Sequence, residues 1–166
     1  MFTQNSIDYN NRKEFYNYLI TCLEELINGE PDWLANISNA AALLYQLIPD
    51  INWAGFYFYK NGELVLGPFQ GKPACIRIPM GKGVCGTAAK TREIQLVPDV
   101  NKFPGHIACD ELSKSEIVLP IIKNERLIGV LDIDSPVLSR FDKQDADGLA
   151  FFVDCLNKHI NWPEFV

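Results

Sequence analysis

The chain has 166 residues, the length of one ordinary domain, and 48% of them are hydrophobic, enough for a true core. Its net charge of −6 comes with no run of Lys and Arg, which argues against a nucleic-acid partner, whose phosphates call for clustered cations. No stretch of about 18 consecutive apolar residues is present, and the polar opening MFTQNSIDYNNRK has no apolar signal core, so no membrane span is expected and a cytoplasmic location is.

Phe15, Leu19, Cys22, Leu23 and Leu26 recur at spacings of three and four and predict a helix over about 11–28, ended by Asn28-Gly29. Asp32-Trp33 opens a second helix, about 33–47, with Ile37, Ala40, Ala41, Leu44 and Leu47 on its stripe and Pro49 stopping it. NWAGFYFY at 52–59 is rich in aromatics and reads as a strand, and Asn61-Gly62 is a strong hairpin signal, with ELVLGPF returning as its partner. A strand is expected over 74–78, and a short helix over 84–90 after Gly81-Lys82-Gly83. Such a glycine-rich entry presents backbone N–H groups to an anion, although its spacing is not that of a P-loop. Residues 94–97 are short and β-like, and 99–115 are loop-rich.

Strands over 116–123 and 126–134 flank a tight turn at Asn124-Glu125. Asp142 caps a last helix, about 142–160, with Leu149, Phe152, Val153 and Leu156 facing inward. Hairpins in the middle with helices at both ends give an α+β class. The expectation is one domain over 1–166, with a central antiparallel sheet over about 52–134 and the N- and C-terminal helices packed on one side.

There are five cysteines, an odd number without a signal peptide, which suggests a reducing compartment where paired thiols tend to be catalytic or redox-active. Cys22 and Cys155 lie on or beside helical apolar stripes and read as core. Cys75, Cys85 and Cys109 are flanked instead by Pro73-Ala74, by Gly83 and Gly86, and by Pro104-Gly105, which places them on loops or element ends. Three readings stand for them. They are small buried hydrophobes; or, with His106, a zinc set, although gaps of nine and twenty-three residues lack the usual close cysteine pair; or one thiol attacks and another later closes a disulfide. His106 is three residues before Cys109, and an imidazolium there would lower the thiol pKa; a loop histidine without a role is an equal reading.

Leu131-Asp132-Ile133-Asp134 puts two carboxylates on one face of an apolar strand. Buried there, they cost free energy unless something compensates them. Either the strand end is solvated ahead of Ser135-Pro136, or it lines a pocket for a cationic group or for a proton donor of raised pKa. Pairing around Asn124-Glu125 would bring Glu116 to the same end. Trp53, Phe56 and Tyr57 are core aromatics in one reading; in the other, an indole face meets a methyl-sulfur group or a cation.

GKPACIRIPMGKGVCGTAA, QLVPDVNKFPGHIACD, SEIVLPI and IGVLDIDSP, with NWAGFYF upstream, resemble the free methionine-(R)-sulfoxide reductases, a family built on a GAF domain. The likeness runs in register from about Asn52 to Pro136 and more loosely over nearly the whole chain. It implies a six-stranded sheet with flanking helices and thiol-dependent reduction of free L-methionine-(R)-sulfoxide. By the same resemblance Cys109, in GHIACD, is the nucleophile, Cys75 the resolving cysteine and Cys85 an alternative resolver. Trp53 and Tyr57 line the substrate pocket, and Glu116, Asp132 and Asp134 supply its acids. A thioredoxin-type donor and a homodimer are implied; a metal or organic cofactor is not.

Two other classes are carried alongside. One is a non-catalytic GAF module that binds a small molecule, and the other is a thiol redox sensor. The cyclic-nucleotide signature N-K…F-x3-D-E is not met: Asn101-Lys102 and Asp110-Glu111 are present, but His106 stands at the phenylalanine position. Thiol titration before and after adding free methionine sulfoxide separates the three classes, because only the enzyme is oxidised by it in stoichiometric amount.

Overall fold

The structure is a computed structural model and describes residues 9–105 and 110–164. Cys109 and His106 lie outside the described residues. The helix predicted over 11–28 spans Arg12–Ile27 (α1), where the Asn11 side chain accepts the Glu14 N–H at 3.4 Å. The second helix is Trp33–Leu47 (α2), capped by Asp32, which accepts the Ala35 N–H at 2.8 Å. Each cap satisfies a donor that the first helical turn leaves free.

Trp53–Lys60 (β1) and Glu63–Gly71 (β2) form the hairpin around Asn61 and Gly62, at φ 53° and 91°. Both central residues need positive φ for a two-residue turn of this hand. The strand expected over 74–78 is shorter and later, Arg77–Pro79 (β3), because the preceding residues are held away from the ladder by the aromatic side chains of β1. Gly83–Thr91 (α3), Gln95–Val97 (β4), Ser115–Lys123 (β5), Arg126–Ser135 (β6) and Lys143–His159 (α4) follow. Among its described residues, the loop-rich stretch contains a 3₁₀ turn at Val100–Lys102.

The strands form a single antiparallel sheet in the order β3-β2-β1-β6-β5-β4. This is the α+β, GAF-like arrangement. Alternation along each strand separates two cores. Phe56 and Phe58 of β1, Ile117 and Leu119 of β5, and Leu131 and Ile133 of β6 pack beneath α1, α2 and α4. Trp53, Tyr57, Val118 and Val130 point the other way and meet Val84, Cys85 and Ala88 of α3. Cys22 and Cys155 are both buried in the helical layer.

α1 and α4 are tied through Asp145, which is fully buried. It completes a capping box with Asp142 and accepts hydrogen bonds from Tyr9 and from Tyr16, the latter at 2.8 Å. Arg12 and Arg140 lie 3.4 and 3.6 Å from its oxygens. One turn further on, Gly148 lets α4 rest on a tyrosine ring: a Cβ there would stand 2.2 Å from Tyr16 Cγ. Among the described residues no helix is long and apolar enough to cross a membrane.

Candidate active site

The second core does not close completely. A narrow cavity of about 30 Å³ opens between the sheet and the first turn of α3. Its floor is set by strand register. Asp134 of β6 pairs with Trp53 of β1 on one side and Glu116 of β5 on the other, while Asp132 pairs with Gly55 and Val118. Side chains two apart share a face, so Glu116, Asp132 and Asp134 converge there. Glu116 and Asp132 are buried, at 5% and 6% exposure; Asp134 keeps an edge at the surface. The Cys85 thiol, from the first turn of α3, lies 4.0 Å from Glu116 Oε1.

Lys82 is the one cation among the described residues lining this cavity. Burial, and then the neighbouring Asp132 and Asp134, push Glu116 well above the ordinary carboxylate range. Asp134 is raised by burial and by Asp132 and Asp110. Asp132 rises to about 6, burial outweighing the hydrogen bonds from Cys85 and Glu116 that hold it down. The same burial and the same carboxylates push the Cys85 thiol well up, which makes it a poor thiolate. Asp132 Oδ1 is buried without a hydrogen-bond partner among the described residues, an acceptor that a donor from a ligand would satisfy.

The side wall is aromatic. Trp53 stacks on Tyr57 with ring centroids 6.0 Å apart and on Phe69 at 5.2 Å. Gly55, between Trp53 and Tyr57 on the strand, makes this possible: a Cβ there would stand 2.7 Å from the Trp53 ring and 2.3 Å from Phe69 Cβ. The polar tips of the two rings bind the strap over 72–75. Trp53 Nε1–H donates to the Lys72 carbonyl at 3.1 Å, and Tyr57 O–H donates to the Cys75 carbonyl at 3.0 Å. Across the mouth, Lys72 Nζ meets Asp110 Oδ1 at 3.1 Å, and Asn52 Nδ2 donates to Asp110 Oδ2 and Ser113 Oγ at 3.2 and 3.1 Å. The Leu112 N–H, together with Lys72 and Asn52, holds the Asp110 carboxyl below its usual range.

The cavity therefore gathers Trp53, Tyr57, Cys85, Glu116, Asp132 and Asp134, all singled out in the sequence. Cys75, half-buried, stands beside it on the strap, next to the lining residue Ala74. Asn52, Lys72, Asp110 and Ser113 were not read as site residues. Their signal was faint: polar side chains near Pro73 and in the stretch after Cys109, brought together only by the fold. Of the zinc set considered in the sequence, Cys109 and His106 lie outside the described residues. Two other groups place ligand atoms within 4.8 Å of one another: Cys85 with Glu116 and Asp132, and Glu24 with Cys155 and His159.

The GAF domain model matches residues 32–160. The chain is 53% identical over 148 residues to the free methionine-R-sulfoxide reductase of Escherichia coli strain K12, covering 89% of this chain and 90% of that one. The chain belongs to the GAF-domain family of free methionine-R-sulfoxide reductases. The Saccharomyces cerevisiae member of the family is 50% identical over 156 residues, 89% of this chain and 87% of its own. A family structure from Neisseria meningitidis, solved in complex with its substrate, superposes with a TM-score of 0.89 at 41% identity, covering 96% of this chain and 94% of that one.

Proposed function

We propose that this protein reduces free L-methionine-(R)-sulfoxide to L-methionine. One observation carries the reading: three carboxyl groups converge in a cavity beside an aromatic wall, where Lys82 is the one cation among the described lining residues. A free amino acid brings a further cation as its α-ammonium. Its methyl-sulfoxide end suits the faces of Trp53 and Tyr57. Its carboxylate finds the first turn of α3, where Lys82 to Cys85 line the cavity and no side chain caps the helix.

In the reaction, the Cys109 thiolate attacks the sulfoxide sulfur. A carboxylic acid of the cavity protonates the oxygen, the raised pKa values of Glu116, Asp132 and Asp134 keeping such a proton available near neutrality. The oxygen passes to the cysteine, methionine departs, and Cys109 becomes a sulfenic acid. The Cys75 thiol displaces water from it to give a disulfide, Cys85 standing as the alternative resolver. A thioredoxin-type dithiol reduces that disulfide. The protein works as a single GAF domain in a reducing cytoplasm and as a homodimer, the family resemblance being the support for the last.

Single-turnover assay tests the assignment. Reduced wild-type protein without any added thiol is expected to release methionine from the R epimer and not from the S epimer. Cys109→Ser is expected to release none, because a hydroxyl is a far poorer nucleophile than a thiolate at neutral pH. Stoichiometric release by that variant would remove Cys109 from the mechanism.

A further inference from the structure

A second set of ligand-type side chains lies on the other face of the sheet, between α1 and α4. Cys155 and His159 are one turn apart on α4, so their side chains share a face. That face meets Glu24 of α1. The three residues each offer a ligand atom, and these atoms lie within 4.8 Å of one another. His159 Nε2 is 3.8 Å from Glu24 Oε1, too far for a hydrogen bond. It is buried and has no hydrogen-bond partner among the described residues. The Cys155 thiol is pushed up to about 11, first by burial and then by Glu24. Lys158 competes weakly for Glu24, at 4.0 Å, with the two side chains 73% and 46% exposed.

As packing, this arrangement is poor: it leaves a ring nitrogen without a partner next to a carboxylate and a thiol. As a ligand set it is good. Zinc takes cysteine sulfur at about 2.3 Å and imidazole nitrogen or carboxylate oxygen at about 2.0–2.2 Å in a tetrahedron, which puts ligand atoms roughly 3.2–3.7 Å apart. Closing the triangle to that size requires rotation of the half-exposed Glu24 side chain, with the two α4 ligands already one turn apart.

We propose that Glu24, Cys155 and His159 form a site for zinc or another borderline-soft divalent cation, with water as the fourth ligand. On binding, the Cys155 S–H bond breaks and its proton leaves to solvent. Bonds from sulfur, nitrogen and oxygen replace three metal–water bonds, and no electron is transferred. The thiolate–imidazole pair selects against magnesium and calcium, which prefer all-oxygen shells. The bound ion would bridge α1 to α4 and so stabilise the helical layer beneath the sheet.

The test uses the full chain, reduced and metal-free, titrated with Co²⁺ as a spectroscopic probe and with Zn²⁺ for thermal melting. Wild type is expected to develop a thiolate-to-cobalt charge-transfer band with tetrahedral d–d absorption, saturating at a single equivalent, and to melt higher with Zn²⁺. C155A should lose the band. H159A should weaken cobalt binding at least about tenfold. E24Q, a change at a half-exposed position, should reduce the zinc-induced rise in melting temperature. C155A and H159A should keep wild-type turnover of methionine sulfoxide, while the band should persist in C85A, which removes the other buried thiol near carboxylates. A band that survives in C155A or vanishes in C85A, or a wild-type protein with neither band nor zinc-induced stabilisation, would overturn the assignment.

Discussion

Glu116 and Asp134 stand directly opposite one another on adjacent antiparallel strands, and Asp132 follows two residues along on the same face. Like charges in paired positions destabilise a sheet, and here the pair is also largely withdrawn from water. The strain is relieved either by a proton or by a ligand cation. Both outcomes are functional in the proposed reaction, since the site must hold an ammonium and also deliver a proton.

Specificity for the free amino acid follows from this pairing. N-acetylation removes the ammonium and leaves the carboxyls uncompensated, and losing one partner of a buried charge pair costs about 3–5 kcal/mol. At a factor of ten per 1.4 kcal/mol, kcat/KM for N-acetyl-methionine-(R)-sulfoxide should fall by about 10²–10³ relative to the free substrate. Asp132→Asn and Glu116→Gln should weaken the free substrate and narrow the gap. Comparable kcat/KM values for the two substrates in wild type would dissociate the acids from the ammonium.

The two candidate resolving thiols should differ sharply in reactivity. Cys85 is 4% exposed and its pKa is driven up by burial and by Asp132 and Glu116, whereas Cys75 sits half-buried on the strap. Iodoacetamide should therefore modify Cys75 well before Cys85, as timed peptide mapping would record. Cys75→Ser should still release about one equivalent of methionine but recycle slowly with thioredoxin. Mapping of the oxidised wild type should find Cys75 joined to Cys109; Cys85 in that position would transfer the resolving role to it.

The acids should also leave a signature in stability against pH. Their ordinary values are 3.8 for Asp and 4.5 for Glu, and all three are raised in the fold, Asp132 to about 6. In the interval between, the folded state holds more protons than the unfolded one, so stability falls as pH rises. Their contribution is fully present below the ordinary values and is lost as pH passes through the raised ones. Asp132→Asn removes one such group, so the melting temperature of the variant relative to wild type should climb from pH 4 to pH 7, with the substrate absent. A difference that stays flat across that range would contradict a raised Asp132.

Asp145 should prove a stability residue with no part in turnover. It is fully buried beneath two tyrosines and two arginines. Asp145→Ala removes the carboxylate and leaves Arg12 and Arg140 without it, at an expected cost of about 3–5 kcal/mol in urea unfolding. Gly148→Ala, which drives a methyl into the Tyr16 ring, should cost about 1–3 kcal/mol. Single-turnover yield per folded molecule should be unchanged in both.

The sequence carried the floor of the cavity well. Asp132 and Asp134 share a face by strand alternation alone, and Asn124-Glu125 fixes the turn that delivers Glu116 to them. The aromatic strand and its Asn61-Gly62 hairpin were equally legible, since local chemistry decides both. The mouth of the cavity was not. Lys72 reaches Asp110, and Asn52 reaches Ser113, across segments distant in the chain, and no periodicity marks such contacts. The strand expected over 74–78 was displaced for a similar reason: Tyr57 and Trp53 claim the backbone of the strap before the ladder can. The ring of groups around Asp145 was also invisible, because an aspartate in the first turn of a helix looks the same whether or not two tyrosines and two arginines fold over it.

The alternation along β6 has a consequence for how the chain tolerates change. Leu131 and Ile133 look into the helical layer while Asp132 and Asp134 look into the cavity, so architecture and chemistry are written on odd and even positions of one short message. Inserting or deleting a single residue upstream within that strand shifts the reading frame. It would thrust two carboxylates against Phe56 and Phe152 and turn two aliphatic side chains into the cavity. Substitutions here would damage one property at a time, whereas a frame slip would destroy fold and activity together.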